Sequence, residues 1–178
     1  MNEYINESKL KRISFISGVD FYYLTYLIII CLKEFSSKKN VFTDHRKLTY
    51  LMQLVSSSTA VNILIENFNK EKLKAFDREF LFDIYVKGSL HQRDVYKIIR
   101  ALEKKGVLKI SDTTKVDSYN IEILDELKIK SFFDTDIFNR EINNAVALKS
   151  NFNTISRLGL NGLLDKIFIK HGLKVWDN

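Results

Sequence analysis

Asp112 or Asp117, followed by Glu126-Leu127-Lys128, is the nearest thing in the sequence to a catalytic pattern. An acid followed by acid-x-Lys is how many metal-dependent nucleases hold Mg²⁺ and set a lysine against the attacking water. Here the pattern is two or three common residues in a chain that is 28% Asp, Glu, Lys and Arg, so it weighs little. His45, His91 and His171 are far apart, with no HxxxH or CxxC companion. Each reads as a cap or surface residue rather than a ligand. No GxxxxGK[ST] or GxGxxG phosphate loop is present. The sequence therefore implies no cofactor, no metal and no enzyme.

The basic residues carry more content. Arg93, Lys97, Arg100 and Lys104 recur at i, i+4, i+7 and i+11, which puts them on one helical face. Val95, Ile98, Ile99 and Leu102 fall opposite, toward a core. Such a helix can touch phosphates or enter a major groove. It can equally be a solvated face, because Asp94 and Glu103 moderate its charge and Gln92 is its sole amide side chain suited to reading bases. Lys109 and Lys115, farther on, would extend a sequence-tolerant DNA surface.

Composition bounds the class. The chain has 178 residues, 46% hydrophobic and 12% aromatic, with no proline and six glycines. That disfavours a turn-rich sandwich and favours helices. The net charge of +6 permits an acidic partner, although Lys-, Asn- and Ile-rich usage also follows from an AT-rich genome. Cys31, the single cysteine, excludes an internal disulfide and reads as a small buried hydrophobe. No signal peptide is apparent. The apolar stretch from Val19 to Leu32 contains Asp20 and Thr25 and falls short of the roughly 20 residues a bilayer span needs. A cytoplasmic protein with no membrane contact is expected.

The elements that must position the basic face follow from patterning. Asp20 to Phe35 reads as a central helix, apolar on most faces. Thr43-Asp44 offers an N-cap to a helix with Leu48, Leu51, Met52 and Val55 on one face. Another helix runs from about Ala60 to Asn67. Asp77 to Val86 is a helix, Gly88-Ser89 a turn, and His91 to Lys105 a second helix stopped by Gly106. Strands are expected near Val107–Ile110 and Val116–Ile123, around the polar tip Asp112-Thr113-Thr114-Lys115. Helix, turn, helix and hairpin is the order of a winged helix. The fold class is thus mainly α, a winged helix with one β-hairpin. The stretch around His45-Arg46-Lys47 repeats the plan weakly, which leaves tandem helix-turn-helix lobes open.

The last third is helical. One helix is expected from about Asp134 to Leu158, with Phe138, Ile142, Ala145, Phe152 and Ile155 as its apolar stripe. A final helix bears Leu160, Leu163, Leu164, Ile167 and Phe168, and Gly172 stops it. The chain divides into an N-terminal helical lobe (residues 1–75), the winged-helix segment (76–125) and C-terminal helices packing on the same core (126–178). The C-terminal apolar positions exceed what one small core needs. Leu164, Phe168 and Trp176 are therefore candidate partner-binding residues, Trp being a favoured interface anchor. Self-association through the same face is the alternative.

The order of these pieces resembles the middle component of ABC-three-component systems, which include the Lamassu-type antiphage systems. The resemblance is carried by the apolar helix Tyr22 to Phe35 and by Arg46-Lys47-Leu48 to Leu51 opening a second helix. It continues through Asp77 to Ile123 and Arg157-Leu158-Gly159-Leu160-Asn161-Gly162-Leu163-Leu164. It runs over nearly the full chain, on loose patterns of apolar and polar positions. It implies a small non-catalytic winged-helix adaptor that sits on an SMC/Rad50-like ATPase and connects it to an effector. The competing expectation is a stand-alone winged-helix DNA-binding regulator, dimerised through the C-terminal helices.

Overall fold

The computed structural model describes residues 21–125, 129–130, 133 and 136–176. The chain is mainly helical, with a small three-stranded antiparallel sheet, and is winged-helix-like. Helix α1 covers residues 21–35 and buries Leu27 through Leu32 without interruption, Cys31 among them. A helix apolar on most of its circumference must be enclosed. Burial pushes the Cys31 thiol up, so it stays protonated.

Strand β1 (Val41–Phe42) precedes helix α2 (Lys47–Val55). Patterning assigns α2 one buried face, yet all nine of its residues are buried. It packs on α3 (Ser58–Glu66), α4 (Ala75–Leu90), α5 (Gln92–Lys104) and α6 (Asn139–Asn151). This short helix, as much as α1, is the axis of the molecule. Its polar side chains are satisfied locally: the Thr49 hydroxyl donates to the Arg46 carbonyl at 3.0 Å, and Lys47 Nζ donates to Thr43 Oγ1 and the Ser156 carbonyl. Ser57 caps α3 by accepting the Ala60 amide.

Gly88 and Ser89 do not form the expected turn. Helix α4 runs through them to Leu90, and His91 alone separates it from α5. Gly88 is needed for proximity: a Cβ there would lie 2.7 Å from Tyr50 Cδ1 and 3.2 Å from the Thr49 carbonyl oxygen. Gly106 does end α5, at φ +68. Its N–H donates to the Glu103 carbonyl and that of Val107 to the Leu102 carbonyl, the paired bonds of a Schellman turn.

The wing strands are β2 (Leu108–Asp112) and β3 (Tyr119–Ile123). Both are displaced from their expected limits. Val116 is 84% exposed in the connecting loop, where no strand partner exists for it. The sheet order is β1-β3-β2, with Phe42 opposite Ile121 and Ile121 opposite Ile110. The expected hairpin therefore gains a third strand. The ladder extends past β1 through Ile123 N–H to the Asn40 carbonyl and His45 N–H to the Tyr119 carbonyl.

The helix expected from about Asp134 to Leu158 is replaced by a 3₁₀ turn (Asp136–Phe138), α6 and a turn over residues 153–157, and the expected final helix follows as α7 (Leu160–Ile167). Asp134 and Thr135, at the expected start of that helix, lie outside the described residues. Phe152 and Ile155 are buried beyond the helix end, so core packing rather than helical period placed them. Among the described residues, one contiguous core reaches from Leu24 to Leu173 and draws on α1 through α7, and β1 joins the wing sheet. Among the described residues, no single helix is long and apolar enough to cross a membrane.

Candidate nucleic-acid and partner interface

Helix α5 is strongly two-faced, as its sequence requires. Val95, Ile98, Ile99 and Leu102 are buried. Arg93, Lys97 and Lys104 are exposed and Arg100 is half-buried. The four cations are not equivalent. Arg100 Nη1 pairs with Glu103 Oε2 at 2.8 Å, and its Nε donates to Tyr96 Oη at 3.0 Å. Its guanidinium also lies over the rings of Tyr96 and Tyr119, at 5.2 and 5.7 Å. The Glu103 and Tyr96 bonds raise the Arg100 pKa, and Arg100 in turn holds the Glu103 carboxyl below its usual range. Glu103 Oε1 also accepts the Ile110 amide at 3.1 Å, which ties α5 to β2. Lys97 faces Asp94 at 3.6 Å. Arg93 and Lys104 make no ion pair among the described residues.

Arg100 thus roofs an aromatic cluster that sequence reading does not anticipate. His45, Tyr96 and Tyr119 meet with centroids 5.0 to 6.2 Å apart, joining the loop before α2, helix α5 and strand β3. Tyr119 N–H donates to His45 Nδ1 at 3.2 Å, so that nitrogen is unprotonated. Burial lowers the His45 pKa. Next to it, an open groove of about 510 Å³ runs between α2, the α4–α5 elbow and the wing tip. Arg46, Arg93 and Asp117 line it, beside Leu90 and Val95.

Lys109 is exposed on β2, opposite Glu122. Lys115 is exposed in the wing loop but turns away from α5. It lines a cleft of about 260 Å³ with Thr43, Asp44, Thr113, Thr114, Ser118, Asn120, Arg157 and Gly159. Arg157 is the functional candidate that patterning missed. It lies in the irregular turn after α6, where no periodicity marks a face.

Two of the three partner-binding candidates are corrected by their packing. Leu164 and Phe168 are buried in the chain's own core, Phe168 against Tyr50 and Tyr85. They offer a partner no surface. Trp176 is 60% exposed. Its backbone is pinned by Tyr85, whose Oη accepts the Trp176 amide at 2.9 Å and donates to the Trp176 carbonyl at 3.2 Å. Its ring rests against Phe82 and Tyr85, each 5.8 Å away.

His171 is neither a cap nor a surface residue. It is buried, its Nδ1 donates to the Lys70 carbonyl at 2.9 Å, and its Nε2 has no hydrogen-bond partner among the described residues. Burial lowers its pKa. Of the nuclease-like pattern, Asp112 and Asp117 are exposed, whereas Glu126, Leu127 and Lys128 lie outside the described residues. Among the described residues, no group of three or more His, Cys, Asp or Glu is placed to hold a metal ion. No protein-family model, curated protein or solved structure matches this chain.

Proposed function

We propose that this chain is a non-catalytic winged-helix adaptor of an antiphage defence complex, linking an SMC/Rad50-like ATPase to an effector and touching DNA through backbone phosphates only. The observation that carries the reading is that half of the cations on the outer face of α5 are already paired within the helix. Lys97 and Arg100 are paired with Asp94 and Glu103, Arg100 also lies over the Tyr119 ring of the wing, and Glu103 accepts the Ile110 amide of β2. A regulator that reads bases needs free polar side chains on this face. Its one amide side chain, Gln92, points its Nε2 at Tyr50 Oη at 3.5 Å. The chain-long resemblance to the middle component of ABC-three-component systems supports the same reading, and exposed Trp176 is the anchor it leaves for a partner.

Co-expression with an SMC-like ATPase encoded beside it tests this. The ATPase should co-elute with the wild-type protein through size exclusion, and Trp176→Ala should weaken that association. A wild-type protein that elutes alone and binds one DNA sequence far above others would establish the regulator instead.

A further inference from the structure

We propose that the cleft between the wing loop and the α6–α7 turn is a phosphate-binding subsite, with Lys115 and Arg157 as its cations, occupied by one backbone phosphate of a nucleic acid. The choice of nucleic acid rests on the backbone-contact reading above; the subsite itself does not.

Lining chemistry is the first argument. Threonine, serine and asparagine side chains and Gly159 make up the cleft besides its charged residues, with no apolar side chain among them. The elbow groove, by contrast, carries Leu90 and Val95. A surface built for an apolar anchor would present apolar side chains.

Charge is the second. The cleft's one carboxylate, Asp44, is already occupied. Its oxygens accept Arg46 Nε at 2.9 Å, Arg46 Nη2 at 3.0 Å and the Leu160 amide at 3.2 Å. Arg46 offsets that charge from outside the cleft. Lys115 and Arg157 are exposed and make no ion pair among the described residues. Two uncompensated cations from distant parts of the chain therefore share one polar cavity, an arrangement that favours an anion.

Geometry is the third. The wing loop is closed on itself: the Thr113 hydroxyl donates to the Ser118 carbonyl at 2.9 Å and accepts the Lys115 amide at 3.1 Å. Lys115 Nζ lies 3.6 Å from where a Cβ on Gly159 would stand. The bare backbone at Gly159 thus leaves the ammonium room at the cleft mouth. Gly159 has φ −73, so a larger residue there fills the cleft without backbone strain.

The test uses the full-length protein and two probes. Inorganic phosphate, titrated at constant ionic strength, is followed by amide NMR. We expect shifts concentrated in residues 113–118, 43–44 and 157–159, weakened at least tenfold in Lys115→Gln/Arg157→Gln and in Gly159→Leu. Shifts absent from these amides, or unchanged in the variants, overturn the subsite. A 20-base-pair duplex is then followed by anisotropy across salt. The double variant should lower the slope of log affinity against log salt by about 1, the counterion release of one neutralised phosphate. Phosphate shifts in the cleft with an unchanged duplex slope overturn the nucleic-acid assignment and point to a free phosphate ester. A wild-type protein that binds no duplex, yet shows the phosphate shifts, removes the backbone-contact reading and leaves the subsite standing.

Discussion

Asp44 Oδ2 accepts the backbone amide of Leu160 at 3.2 Å, so a residue before α2 serves the first turn of α7. The same carboxylate takes the Arg46 guanidinium, while the Asp44 amide donates to Asn120 Oδ1 on β3. Three distant segments meet at this one residue. Burial alone would raise the Asp44 carboxyl, but the bonds from Arg46 and Leu160 outweigh it and hold the pKa below its usual value. With the folded pKa lowered, this stabilisation is complete above the unfolded carboxyl value and is lost as pH falls through the folded one. Asp44→Asn keeps the left-handed φ of 59° within reach. It should cost about 2 kcal/mol near neutral pH, as for a lost charge-assisted pair. Urea unfolding should show that cost shrinking below pH 4; an equal cost at pH 3 and pH 7 would refute it.

Lys47 makes the opposite case. It is fully buried, and burial pulls its ammonium down to about 8, with Asp44 opposing. The unfolded chain then binds more protons between pH 8 and 10, so this group makes stability rise with pH across that window. Lys47→Met removes the buried charge at the cost of two long hydrogen bonds. It should stabilise the protein at pH 7 by roughly 1–3 kcal/mol. Its advantage should fade by pH 10. A lower melting temperature at pH 7 would show that the bonds to Thr43 and Ser156 matter more.

Gly88→Ala tests the contact of α4 with α2. Alanine is normally the better helix residue, by about 1 kcal/mol. Here its Cβ meets a buried ring at 2.7 Å and a backbone oxygen at 3.2 Å. The overpacking should prevail, leaving a net loss of about 1–3 kcal/mol in denaturant unfolding. A gain in stability would mean that Tyr50 moves aside freely.

The two C-terminal aromatics should separate cleanly. Phe168→Asp places a charge in the core beside Tyr50 and Tyr85 and should give unfolded or insoluble protein. Trp176→Ala should leave circular dichroism and melting nearly unchanged, within about 1 kcal/mol, because the residue is 60% exposed. Both variants folding normally would contradict the packing of Phe168.

The sequence shows most plainly what repeats. The α5 amphipathic period, the Gly106 stop and two β-rich runs disclose the helix, turn, helix and wing order. What escapes is set by tertiary contact. Val41–Phe42 is too short to announce a strand, and becomes one only because β3 offers a free edge. Gly88 looks like a turn residue until the Tyr50 ring is placed against it. Of the candidate cations on α5, Arg93, Lys97 and Lys104 are exposed. The bond from Arg100 to Glu103 at i+3 was legible in principle, whereas its stacking on Tyr119 and the company of Lys115 and Arg157 were not. Phe168 fits an amphipathic stripe equally well whether the stripe meets a partner or its own core.

Strand β1 has a further consequence for how the chain comes apart. Its pairing with β3 closes a long loop of chain that contains α2, α3, α4, α5 and β2. The wing cannot detach while that clasp holds, and the clasp cannot open without uncovering Phe42 and Ile121. Brief excursions that would expose the wing to proteases are therefore coupled to opening of the helical interior, and the amide protons of His45 and Ile123 should exchange among the slowest in the molecule.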